Sequence, residues 1–157
     1  MEVPPMILRT LPLIVSLVLL TACSTDQQTL TAEQMVAELA QRIPTAEPGL
    51  VFTAENDPYA ILGRPGGYTS KASFTDTRIP AEKTTGAIKG AAEYGGSVEV
   101  FPDNYLAQRR KDYLDGVSSN QLAMEYSWVS GPVLLRVSQH LTPDQAAEYQ
   151  TALTEIG

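Results

Sequence analysis

Gly95-Gly96-Ser97-Val98-Glu99-Val100-Phe101 runs straight into Pro102-Asp103. The first seven residues alternate as a strand does, and Pro-Asp opens a helix that the apolar spacing carries to about Val117. Leu106, Arg110, Tyr113, Leu114 and Val117 fall along one side of that helix. Upstream, Ala72-Ser73-Phe74-Thr75-Asp76-Thr77-Arg78 reads as a Thr-rich strand, too polar for both faces to be buried and so expected at an edge or on a half-exposed sheet. Downstream, residues 124–130 and 133–138 read as two strands joined through Gly131-Pro132 as a hairpin, with Tyr126 and Trp128 on one face. Leu141-Thr142-Pro143-Asp144-Gln145 then supplies a capping box with Pro at the first helical position, and Ala146, Tyr149, Leu153 and Ile156 continue a helix. At the other end, Thr31-Ala32-Glu33-Gln34 is a second capping box; Met35, Val36, Leu39 and Ile43 follow at helical spacing until Pro44. Residues 45–71 are rich in Pro and Gly and read as loop, with Leu50-Val51-Phe52 a brief extended piece.

The expected fold class is therefore α+β: an N-terminal helix, then two strand-strand-helix units. These would build roughly four strands, mostly antiparallel, with the helices on one face. The two units echo each other, Val98-Glu99-Val100 against Leu135-Arg136-Val137, which raises internal duplication. Glu99 and Arg136 hold matching places between apolar neighbours, so a cross-strand ion pair is expected, worth roughly 0.2–1 kcal/mol.

Composition narrows the function. The 157 residues carry 18 acidic and 11 basic side chains, a formal net charge of -7, with 43% hydrophobic and 18% charged residues. That balance suits one globular domain. It argues against a nucleic-acid partner, since no basic field is present to displace counterions from phosphates. One His and one Cys leave no basis for a zinc site or a disulfide framework, and no cofactor or metal is expected.

Residues 11–20 form an uncharged, mainly apolar run of ten, half of the roughly 20 residues that span a bilayer. With Arg9 as its positive flank, the run fits the core of a secretory signal. Leu20-Thr21-Ala22-Cys23 follows at once and resembles the lipobox of bacterial lipoproteins. The resemblance implies a signal peptide over 1–22, diacylglyceryl transfer to the Cys23 sulfur, cleavage before Cys23 and a lipid-modified N-terminus. Residues 23–29 would be a polar tether and 30–157 the single domain, held extracytoplasmically at the cell membrane. Two acyl chains suffice for stable anchoring where one is marginal. Glu2, Pro4 and Pro5 are unusual ahead of such a core, and Met6 would be the more ordinary start.

For binding, the most distinctive stretch is Leu62-Gly63-Arg64-Pro65-Gly66-Gly67-Tyr68-Thr69-Ser70-Lys71. Arg64, Gly66, Gly67, Tyr68 and Lys71 combine backbone N–H groups, cations and an aromatic ring, which together suit a small anion. Other sets carry less. His140 lies in a turn before a helix cap with no Gly-x-Ser-x-Gly motif anywhere. Glu55 with Asp57, and Asp112 with Asp115, are the close carboxylate pairs, the second on a charged helix face. Tyr68, Phe74, Tyr126, Trp128 and Tyr149 read as core or sheet face rather than as an aromatic cleft.

The 62–71 stretch, Phe74-Thr75-Asp76, Gly96-Ser97-Val98-Glu99-Val100-Phe101 and residues 131–138 together resemble a family of small secreted proteins and lipoproteins of actinobacteria, over about residues 57–153. The resemblance implies location and single-domain architecture and transfers no catalytic residue. The expected function is thus a membrane-anchored lipoprotein, not an enzyme, that binds a small anion or an envelope protein. The alternative is a cell-envelope hydrolase or cell-wall-modifying enzyme, which would need His140 near a carboxylate inside a pocket.

Overall fold

The computed structural model describes Met1, residues 29–118 and residues 125–157. The leader, Cys23 and most of the tether lie outside the described residues. In chain order the elements are α1 (Ala32–Arg42), β1 (Ala46–Val51), β2 (Ser70–Asp76), β3 (Gly95–Val100), α2 (Asn104–Ser118), β4 (Tyr126–Ser130), β5 (Val133–Val137) and α3 (Pro143–Ile156). The strands form one sheet in the order β1-β2-β3-β5-β4, every neighbouring pair antiparallel.

Both capping boxes form. The Thr31 hydroxyl accepts from the Gln34 N–H, and the Gln34 side chain accepts from the Thr31 N–H; Thr142 and Gln145 repeat the pattern at α3. Ile43 at the end of α1 is extended, as the residue ahead of a proline must usually be. The Gly131-Pro132 hairpin joins β4 to β5 as expected, pairing Ser130 with Val133.

The sheet has five strands rather than four, because β1 lies in the segment read as loop. Its Pro48 and Gly49 sit at a register shift on the sheet edge, the place where a strand tolerates proline. There the Ser73 hydroxyl accepts from the Leu50 N–H at 2.9 Å, satisfying a donor that the bulge would leave open. Strand β2, expected at an edge or half-exposed, is an interior strand between β1 and β3 and is buried along most of its length. Its polar residues go inside because each has a partner there. The helices occupy both faces rather than one.

The two faces differ in character. On one, α1 and α3 cover Ala72, Phe74, Val98, Val100, Leu135 and Val137, forming the larger core. Phe74 stacks on Tyr149 with centroids 4.9 Å apart, and Gly96 makes room for it, since a Cβ there would lie 2.3 Å from the Phe74 ring. On the other face, α2 covers only one end, where Ala107 packs with Tyr68, Phe101 and Leu134. Tyr113 and Val117, read along one side of α2, are exposed, and the small Ala107 is fully buried against the sheet. A two-fold axis relating β2–β3 to β4–β5 within this antiparallel sheet would keep both following helices on one face. Finding α2 and α3 on opposite faces removes the structural basis for duplication.

Candidate functional site

Beyond the end covered by α2, the second sheet face is polar. Alternation along each strand places Lys71 and Ser73 of β2, Ser97 and Glu99 of β3, and Arg136 of β5 on that face. Register sets Lys71 opposite Glu99, and Ser97 between Ser73 and Arg136. All five are buried.

Glu99 is the centre of the arrangement. Its carboxylate is fully buried and lies 3.1 Å from Arg136 Nη1, 3.4 Å from Lys71 Nζ and 3.2 Å from Arg110 Nε of α2. The expected Glu99–Arg136 pair exists, but it runs diagonally between strands and belongs to a buried network rather than to a single exposed contact. Burial by itself would push the Glu99 carboxyl up; Arg136, Lys71 and Arg110 outweigh it and hold the group below its ordinary range. Burial pulls Lys71 down from the usual lysine value, with the Glu99 charge opposing.

Around these strands the chain adds ligating groups from loops. Asp57 accepts from the N–H groups of Tyr59, Ile61 and Leu62, and from the Tyr68 hydroxyl in a short contact. Those bonds overcome the effect of burial and keep Asp57 ionised to lower pH than usual, while burial and the Asp57 bond raise Tyr68. Lys71 Nζ is enclosed by rings, 4.3 Å from the Tyr59 centroid, 4.8 Å from Phe52 and 5.2 Å from Tyr68. Tyr59 also lies over Arg110, at 4.5 Å. At the start of β4, Glu125 meets Arg136 with two parallel bonds of 2.8 and 2.9 Å.

A cavity of about 490 Å³ opens against this cluster, with Lys71, Ser97, Glu125 and Arg136 at its polar side and Phe52, Tyr59 and the 86–92 loop as walls. The Ser97 hydroxyl is buried and has no hydrogen-bond partner among the described residues. Such a group is costly to leave alone and is uncommon in folded proteins. Gly86 and Gly90, both at positive φ, flank Ile88, which lines the cavity and is 73% exposed.

The residues expected to bind an anion do not gather around one opening. Lys71 faces this cavity, paired with Glu99. Tyr68 is fully buried and bound to Asp57, so its ring is part of the core. Gly66 and Gly67 line a separate open groove with Arg109 and Tyr113, and Arg64 is exposed on the turn just ahead of them. Gly67 is there for packing, since a Cβ would stand 1.9 Å from the Ile61 carbonyl oxygen. No family model, curated protein or solved structure matches the chain. Its chemistry therefore rests on its own residues.

The other sequence candidates are also placed. His140 lines neither cavity and is paired with no carboxylate among the described residues; its own N–H donates to the Ser138 hydroxyl. Asp112 and Asp115 lie on the solvent side of α2, bound to Gln108 and Lys111. Phe74 and Tyr149 are core, and Tyr126 stacks on Trp128 in a half-buried pair on the face of α3. No group of three or more His, Cys, Asp or Glu suited to a metal occurs among the described residues, and no helix among them is long and apolar enough to cross a membrane.

Proposed function

We propose that this chain is a membrane-anchored bacterial lipoprotein whose folded domain binds a small ligand in the cavity over Ser97 without transforming it. The observation that carries the binding part is that cavity, about 490 Å³, with a buried and unpartnered hydroxyl on its floor beside ionic side chains. A volume of this size, mixed apolar walls and a few convergent polar groups are the features of small-molecule sites. A ligand that bonds to Ser97 supplies the partner that no described residue supplies to this hydroxyl. A binding role is favoured over hydrolysis by the distribution of reactive groups. His140 does not line the cavity, and the Lys71 ammonium is engaged by Glu99. The anchoring part rests on Leu20-Thr21-Ala22-Cys23, with Cys23 the sole cysteine, and puts the domain on the extracytoplasmic side of the cell membrane.

Two arms test the proposal. Cells fed a labelled palmitate analogue should yield labelled protein, and Cys23→Ser should abolish the label and release the chain from the membrane fraction; an unlabelled protein overturns the anchor. Mass spectrometry of the protein taken from its own membranes under non-denaturing conditions should show a bound small molecule. That molecule should be lost in Ser97→Ala; retention by the variant overturns the site.

A further inference from the structure

The charges of the buried cluster point to the class of ligand. Lys71, Arg110 and Arg136 are three cations; Glu99 and Asp57 are two fully buried carboxylates among them. The set is left one positive charge over, and Glu125 restores neutrality from the cavity side. Glu125 differs from the other two carboxylates in its access to water: its side chain is 21% exposed, theirs 0%. It takes the Nε and Nη2 edge of Arg136, whereas Glu99 holds Nη1. The guanidinium fork is thus presented to the cavity and occupied by a carboxylate that solvent can reach.

We propose that the ligand is a small carboxylic acid in its ionised form, which seats its carboxylate on the Nε and Nη2 edge of Arg136 in the place Glu125 holds. This rests on the binding reading above. Replacing one carboxylate by another leaves Arg136 with an anionic partner, so the exchange avoids the large penalty of stranding a buried charge. The planar fork matches a carboxylate with two bonds, a geometry that neither an amide nor an alcohol reproduces. The entering molecule also gains what Glu125 does not use. The Ser97 hydroxyl stands directly across the ladder from Arg136, and the Tyr59 ring lies 5.8 Å from its guanidinium. Phe52, Ile88 and Ala92 then receive an apolar body. Glu125 acts as a resident competitor that keeps the site neutral when it is empty.

The test uses the full-length protein in detergent and two matched probes, benzoate and benzamide, with affinities from ligand-observed saturation-transfer NMR. Benzoate is expected to bind and benzamide to bind far more weakly. Removing the competitor should sharpen the difference: if Glu125 occupies the fork about nine-tenths of the time, Glu125→Gln tightens benzoate about tenfold and leaves benzamide unchanged. Thermal unfolding of the variant reports that the fold is intact. Equal binding of benzoate and benzamide overturns the carboxylate inference while leaving the cavity as a site. Unchanged or weaker benzoate binding in a folded Glu125→Gln overturns it too. So does failure of both probes on both proteins, in which case a non-acidic molecule recovered with the membrane-derived protein would still uphold the binding reading.

Discussion

Ser97→Ala should make this protein more stable. Ser97 is 2% exposed, its hydroxyl has no partner among the described residues, and it stands between Ser73 and Arg136 on an interior strand. A buried hydroxyl without a hydrogen bond costs about 1–3 kcal/mol relative to its solvated state in the unfolded chain. Alanine keeps the Cβ and the β3 backbone and removes only the oxygen, so the lost dispersion contacts amount to a few tenths of a kcal/mol. The balance is a gain of about 1–2 kcal/mol, opposite in sign to most substitutions at buried positions. Urea unfolding followed by far-UV circular dichroism measures it: with a slope of about 2 kcal/mol/M, the midpoint rises by roughly 0.5–1 M and the slope stays constant. Ligand binding should fall in the same variant, so that stability and function move in opposite directions. A midpoint that drops would refute the reasoning, because it would mean that the hydroxyl is bonded in the ligand-free protein.

Other substitutions probe the rest of the account. Glu99→Ala strands Lys71, Arg110 and Arg136 around a vacated centre and should cost about 3–5 kcal/mol by the same urea assay. A loss below about 1 kcal/mol, the range of exposed pairs, would refute the buried network. Acid should weaken the fold for a related reason. Glu99, Asp57 and Asp76 are all held below their ordinary values when folded, so their contribution is complete above the ordinary carboxylate range and disappears as pH falls through the depressed folded values. A midpoint independent of pH through that window would contradict it. Tyr149→Phe removes a 2.7 Å bond to the buried Asp76 carboxylate and should cost about 1.5–3 kcal/mol. Gly63→Ala, at positive φ in open space, should cost about 1–2 kcal/mol, and Gly67→Ala should cost more, since its Cβ would meet the Ile61 carbonyl. The opposite ranking in thermal melts would show that the turn rearranges.

Much of the architecture is legible in the chain because local rules decide it. The capping boxes at Thr31 and Thr142 and the Gly131-Pro132 hairpin depend on neighbours a few residues apart. What the pattern hides is set by partners far away. Pro48 and Gly49 look like loop because only the Ser73 hydroxyl, from another strand, makes a bulged strand tenable there. β2 looks half-exposed because Lys71, Ser73 and Asp76 are polar, and their partners at Glu99, Leu50 and Arg78 come from elsewhere in the fold or around a turn. The same polarity holds the signal for the site. Glu99 and Arg136 are charged residues between apolar neighbours in their strands, a pattern that points to a buried network, whereas Lys71 falls at the end of the stretch that reads as loop. Only Glu99 and Arg136 can be matched from the sequence, by their echoing contexts. Tyr59, Asp57 and Arg110 join through loops and a helix, with no spacing to announce them. Cys23 is the reverse case, an expectation that rests wholly on its neighbours in the sequence and lies outside the described residues.

Hydrogen exchange on the intact protein, with and without the low-molecular-weight fraction of its own envelope, tests most directly where the ligand sits. Slowed exchange is expected in peptides covering 86–97 and around Tyr59, with residues 62–67 unaltered. Slowing confined to the 62–67 turn, or absent from the whole chain, would contradict this placement of the ligand.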